Sequence, residues 1–189
     1  MIATYQIQMA LKEIKPKIWR RLLIPSNLLL SDLHKVIQTS MGWDNLHLHQ
    51  FIKNKTFYTA KDPNDDWGAD SVDYKKIKVS DLLQKENDRM IYEYDFGDGW
   101  EHEVILEKII PSENKIIYPQ CIDGKMNCPP EDCGGIGGFE NMLYVLKNPD
   151  DEEYEGYIEW LGDDYDHAYF NVNETNEDLK LKNYGCFEL

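Results

Sequence analysis

The 189-residue chain has only three arginines: Arg20, Arg21 and Arg89. Arginine is the planar, bidentate partner of phosphate, so this scarcity counts against phosphodiester chemistry. Charge points the same way, since 35 Asp and Glu against 20 Lys and Arg leave a formal charge of −15. Such a surface repels a nucleic-acid backbone, and no binding to duplex DNA is expected. No apolar run approaches the ~18 residues that span a bilayer. The opening MIATYQIQMALKEIKPKIW alternates apolar and polar residues and lacks an apolar h-region, so it predicts neither a membrane span nor a secretory leader. A cytoplasmic chain is the expectation. Its four cysteines are irregularly spaced with no C-x2-C pair. They read as thiols or metal ligands before disulfides. Also missing are a P-loop, a G-x-G-x-x-G after a strand, a G-x-S-x-G elbow and an H-E-x-x-H helix. The glycine run 134–138 precedes a helix, but Glu131 and Asp132 beside it disfavour phosphate.

What is present describes a folded domain. Hydrophobic residues make up 42% of the chain and aromatics 12%, enough for a real core. Charge is unevenly placed: residues 1–60 carry 8 basic and 3 acidic side chains, whereas residues 61–189 carry 12 and 32. The window 148–178 holds 12 acids and no Lys or Arg. It is suited to docking a basic partner or to keeping the protein soluble. Lys12, Lys15, Lys17, Arg20 and Arg21 read as a solvated hairpin.

Alternation at Tyr5, Ile7, Met9 and Leu11 predicts a half-buried strand, and Ile18 to Ile24, stopped by Pro25, its hairpin partner. Ser31 and Asp32 open a helix with Leu33, Val36, Ile37 and Met41 on its apolar face, ended by Gly42. His47 to Lys53 and Lys55 to Thr59 predict short strands, 61–76 a loop, and Ser80 the cap of a short helix through Leu82 and Leu83. Met90 to Phe96 and Trp100 to Ile110 flank the turn Phe96-Gly97-Asp98-Gly99 as a second hairpin. Residues 118–138 suit neither helix nor central strand. Helices follow at Phe139 to Leu146 and Glu152 to Leu161, then a mostly irregular tail from Asp163. The sum is one α+β domain over residues 1–189, with both hairpins in one mixed or antiparallel sheet and helices packed on one face.

Two constellations carry candidate chemistry. Cys121, Cys128 and Cys133 lie in a Gly- and Pro-rich loop, and His102 would complete a tetrahedral thiolate site for zinc. Alternatively, Asp95, Asp98, Glu131 and Asp132 with His47, His49 or His102 offer oxygen and nitrogen donors suited to Mn²⁺ or Fe²⁺, or to acid–base work. His47 and His49, two apart on a strand, would share a face. Trp19, Trp43, Trp67, Trp100 and Trp160, with Tyr92, Tyr94, Phe96 and Phe139, read as core and rim. The CPPEDCGG loop is expected to pack on the 94–102 turn and to cover Trp100 and Phe96.

Several blocks fit one known pattern: PKIWRRLLIP (16–25), Leu33-His34 through Met41-Gly42-Trp43, HLHQF (47–51), YDFGDGWEH (94–102) and CPPEDCGG (128–135). In this order they resemble the Ri-plasmid open-reading-frame-three-like family over roughly residues 3–180. Asp166, Phe170 and Asn176 resemble its closing segment, although His167 stands where proline is usual. The resemblance implies an α+β domain with no established activity. It also implies that cysteine at position 133 is not general to the family. Some members are labelled transposon resolvases. Such an enzyme needs an early serine nucleophile, several arginines and a basic DNA-binding segment. Here the earliest serine is Ser26, in a turn, and the C-terminal half is acidic, so the resolvase reading is rejected. The leading expectation is a binding or interaction module for a protein or small molecule. The alternative is a metal-dependent enzyme using the carboxylate–histidine set.

Overall fold

The computed structural model describes residues 2–61, 70–111 and 118–187. Its strands are β1 (Thr4–Leu11), β2 (Trp19–Pro25), β3 (His49–Lys53), β4 (Thr56–Thr59), β5 (Val72–Asp73), β6 (Arg89–Tyr94), β7 (Trp100–Ile110) and β8 (Gln120–Lys125). They form one eight-stranded sheet in the order β5-β4-β3-β6-β7-β1-β2-β8, parallel only at β4–β5. The hairpins β1–β2 and β6–β7 meet through an antiparallel β1–β7 pairing that sets Leu11 opposite His102. Both hairpins therefore share one sheet, as the alternation predicts.

Alternation gives that sheet two unlike faces. Ile7, Met9, Leu22, Ile24, Tyr92, Tyr94, Val104 and Leu106 are all fully buried on one side. Helix α1 (Leu30–Met41) belongs to the same core through Leu30, Leu33, Val36, Ile37 and Met41. Each such aliphatic side chain contributes roughly 1.5–3 kcal/mol by leaving water. The other side is a lattice of polar pairs. Arg21 forks onto Glu107, donating from Nε at 2.7 Å and Nη2 at 2.9 Å, while Gln6 also donates to Glu107. Arg89 pairs with Glu103, and Lys12 with Glu101.

Arg20 departs from the solvated hairpin. Its place in the alternation turns it to the covered side, where it is 2% exposed. It donates to the carbonyls of Ser40, Trp19 and Lys125, and its guanidinium lies 3.8 Å from the Phe170 ring centroid. Ser40 lies in the last turn of α1, whose negative dipole end favours a cation. Burial lowers the Arg20 pKa.

Helix entry also differs from expectation. α1 starts at Leu30 after Leu29, with no side-chain cap. The backbone does the work instead: Leu30 N donates to Ile77 O, and Val79 N to Leu28 O. The same tie places α2 at Val79–Leu82, where Asp81 rather than Ser80 accepts from the Lys78 amide. At its other end α1 stops at Gly42 with φ 93°, as predicted.

The C-terminal third is more regular than its composition indicates. β8 forms inside the segment read as loop, and α3 spans Gly135–Val145, starting ahead of Phe139. α4 spans Tyr154–Leu161. α5 (Val172–Asp178) lies in the tail expected to be irregular; the Asn171 side chain caps it by accepting from the amides of Asn173 and Glu174. Asn176 of α5 bonds both the amide and the carbonyl of Cys121, at 2.8 and 2.7 Å. A side-chain amide thus occupies an edge-strand position that would otherwise invite another strand. Among the described residues no helix is long and apolar enough to cross a membrane. Residues 62–69 of the expected 61–76 loop, Trp67 among them, lie outside the described residues, and the second half of that loop holds β5 and a 3-10 turn at Tyr74–Lys76.

Candidate metal centre

The CPPEDCGG loop packs on the tip of the β6–β7 hairpin. Asp98 Oδ2 accepts from the Gly134 amide at 3.1 Å, and Trp43 Nε1 donates to Pro129 O at 3.0 Å. Two glycines are required here. A Cβ on Gly135 would sit 2.7 Å from Asp98 O, and one on Gly138 would sit 1.9 Å from Cys133 O. Trp100 is 1% exposed, as expected of a covered residue, whereas Phe96 is 36% exposed. Phe96 lies in the turn beyond the end of β6.

This docking brings four of the candidate residues together. His47 Nε2 stands 3.7 Å from Asp95 Oδ2, 3.7 Å from Glu131 Oε2 and 3.2 Å from Asp132 Oδ1. One donor atom each from His47, Asp95 and Asp132 falls within 4.8 Å of the other two. Asp95 and Asp132 both adopt left-handed backbone conformations, with φ 55° and 56°, which Asp tolerates better than most residues. The turn fixes Asp95 further: its Oδ1 accepts from Gly97 N, and its carbonyl from Gly99 N.

Glu131 is aimed by its neighbours. Its Oε1 accepts from the Tyr94 hydroxyl at 2.8 Å and from the Asp44 amide at 3.0 Å, and Tyr94 Oη in turn accepts from the Leu46 amide. Those bonds leave Oε2 facing His47. Burial pushes the Glu131 carboxyl up, while the Asp44 and Tyr94 hydrogen bonds pull it down. Burial likewise pushes the Tyr94 hydroxyl far up, so it stays a donor. Tyr94 is the supporting residue that sequence reading placed only in the core; its position at the strand end before Asp95 was the available signal.

The remaining candidates lie elsewhere. Asp98 clamps the loop. Trp100 is core. His102 is fully buried, with Nδ1 3.2 Å from the carbonyls of Tyr92 and Trp100, and burial lowers its pKa to about 4. His47 precedes β3 rather than belonging to it, so it does not share a strand face with His49. His49 instead stacks on His34, with ring centroids 3.4 Å apart. The thiolate tetrahedron is not assembled: among the described residues, Cys121, Cys128, Cys133 and His102 form no converging group of three donors. Cys121 sits on an edge strand with its thiol directed at Asp123 O. Burial pushes the Cys121 thiol up to about 11 and Cys133 to about 12.

An open α+β sheet whose second hairpin tip, clamped by a CPPED loop, gathers one imidazole and three carboxylates defines the class. The particular family follows from comparison. Residues 3–174 match the family described as plasmid pRiA4b ORF-3-like protein, and the chain belongs to it. It is 32% identical over 182 residues to the uncharacterized protein y4hQ of Sinorhizobium fredii (strain NBRC 101917 / NGR234), covering 94% of this chain and 92% of that one. It also resembles the crystal structure of a protein of unknown function, MM3350 from Methanosarcina mazei Go1. The TM-score is 0.81 at 41% identity, over 92% of this chain and 98% of the other.

Proposed function

We propose that this domain binds a divalent cation at His47, Asp95, Glu131 and Asp132. One observation carries the reading: His47 Nε2 and Glu131 Oε2 are both shut off from water, lack any hydrogen-bond partner and face each other. Buried polar atoms are normally paired, and here three carboxylate oxygens converge within 3.7 Å of one imidazole nitrogen, a set suited to a shared cation. An imidazolium is the competing occupant of this charge. It carries one N–H at Nε2, which can serve one of the three facing oxygens, whereas a divalent ion meets all three.

The spacings suit such an ion. Octahedral bonds of ~2.1 Å put neighbouring ligands ~3.0 Å apart and opposite ligands ~4.2 Å apart. The separations of 3.2 and 3.7 Å from His47 fall inside that range. An oxygen-rich set with one imidazole favours Mn²⁺ or Fe²⁺ over the thiolate-seeking metals. The remaining coordination positions would hold water, which such an ion acidifies, so hydrolysis is the enzymatic form of this reading. Calorimetric titration with Mn²⁺ and Zn²⁺ tests it. One equivalent should bind, and Asp132→Asn and His47→Ala should each weaken Mn²⁺ by tenfold or more. Equal binding by all three proteins would overturn the assignment.

A further inference from the structure

We propose that the exposed face of α4 docks a lysine- or arginine-rich segment of a partner protein. No residue of α4 is buried, and Trp160 is 48% exposed. The helix leans on α3, where Asn141 donates to Glu153 Oε2. Glu152, Glu153, Gly156, Tyr157 and Trp160 line a cleft of about 340 Å³. Gly156 and Trp160, four apart in α4, lie one turn apart on a single face, and Glu152 and Glu153 stand just before the helix begins. The Tyr157 and Trp160 ring centroids are 6.1 Å apart.

Gly156 is part of the cleft's lining. A glycine inside a helix costs roughly 1 kcal/mol against alanine. Packing does not require this one, because a Cβ there would meet nothing within 4 Å.

That chemistry selects a cation with an apolar stem. Its charged end meets Glu152 and Glu153, and its methylenes lie across the rings. Charge complementarity names the partner. No Lys or Arg occurs between 148 and 178, and among the described residues no acid from 150 to 166 pairs with Lys or Arg. No Lys or Arg among them therefore neutralises Glu152 or Glu153, and Glu153 Oε1 stays free of the Asn141 bond made at Oε2. Aromatic rings in place of further oxygen donors exclude a metal ion, and the acidity excludes an anionic partner.

Fluorescence anisotropy with a labelled Lys/Arg/Leu peptide, and a Glu/Leu peptide as control, at ~0.15 M salt tests the proposal. The native protein should bind the basic peptide and ignore the acidic one. Trp160→Leu and the pair Glu152→Gln/Glu153→Gln should each weaken binding about tenfold. The charge-matched pair Asp163→Asn/Asp164→Asn should weaken it less than about twofold. Unchanged binding in Trp160→Leu would overturn the proposal, as would equal loss in the two acid pairs, since attraction would then follow net charge alone. His47→Ala should leave peptide binding unchanged, which separates this surface from the metal reading.

Discussion

Residues 44–49 feed two polar regions that treat their groups in opposite ways. Asn45 and His49 belong to a buried layer with His34, Gln38, Tyr74 and Tyr92. Gln38 Nε2 donates to Tyr92 Oη, whose one proton is left for His34 Nδ1. His34 Nε2 then donates to Asn45 Oδ1, and Asn45 Nδ2 to Phe187 O. Each named bond fixes the next, so His34 is wired as one neutral tautomer. Asp44 and His47 belong to the carboxylate pit, where His47 Nε2 and Glu131 Oε2 make no hydrogen bond although they lie 3.7 Å apart. The contrast teaches how to separate structural from functional polarity. Groups that exhaust one another specify a core, and groups left facing one another are the ones free to meet a ligand.

Acid should act first on the buried imidazoles, His34 in the layer and His102 beside it. Unfolded histidine takes its proton near 6.5, whereas burial holds His34 and His102 to about 4. Their contribution is complete above pH 6.5 and is lost as pH falls toward 4. Urea unfolding at pH 7 and at pH 4.5 should differ by about 5 kcal/mol from these two groups. His34→Gln should remove about half of that difference. A flat profile would mean the imidazoles are not buried neutral.

The pit responds to metal instead. Native protein with Mn²⁺ at about a hundredfold over its dissociation constant should gain about 2.7 kcal/mol. Asp132→Asn, at an exposed position, should lose that gain while keeping its metal-free stability within about 0.5 kcal/mol. Tyr92→Phe should have the reverse signature. It leaves Gln38 Nε2 and His34 Nδ1 unpaired and costs about 2 kcal/mol in urea, yet leaves the Mn²⁺ gain intact. Smallest of all, Trp160→Leu on the open α4 face should shift stability by less than about 0.5 kcal/mol.

Much of the frame was legible because alternation is a direct image of a one-sided sheet: Tyr5 to Leu11 and Trp100 to Leu106 show it plainly. α1 was legible from Leu33, Val36, Ile37 and Met41, but its start was not, because backbone contacts with Ile77 and Leu28 replace a side-chain cap. β8 and α5 were hidden for a similar reason. Asn176 reaches from one to the other, and no local pattern announces a side chain bonding a strand 55 residues away. Sequence named the four pit residues but could not separate them from Asp98, His49 and His102. Those three are claimed by a loop amide, a ring stack and two carbonyls, all of which are tertiary contacts. Arg20 was misplaced because charge outweighed alternation in its reading.

The most direct test of the pit is an anomalous difference map from crystals grown with Mn²⁺. The account predicts one peak ~2.2 Å from His47 Nε2 and from carboxylate oxygens of Asp95 and Asp132, with Glu131 Oε2 turned toward it. A peak at Cys121, Cys128 or Cys133, or ordered Mn²⁺ elsewhere with none beside His47, would contradict it.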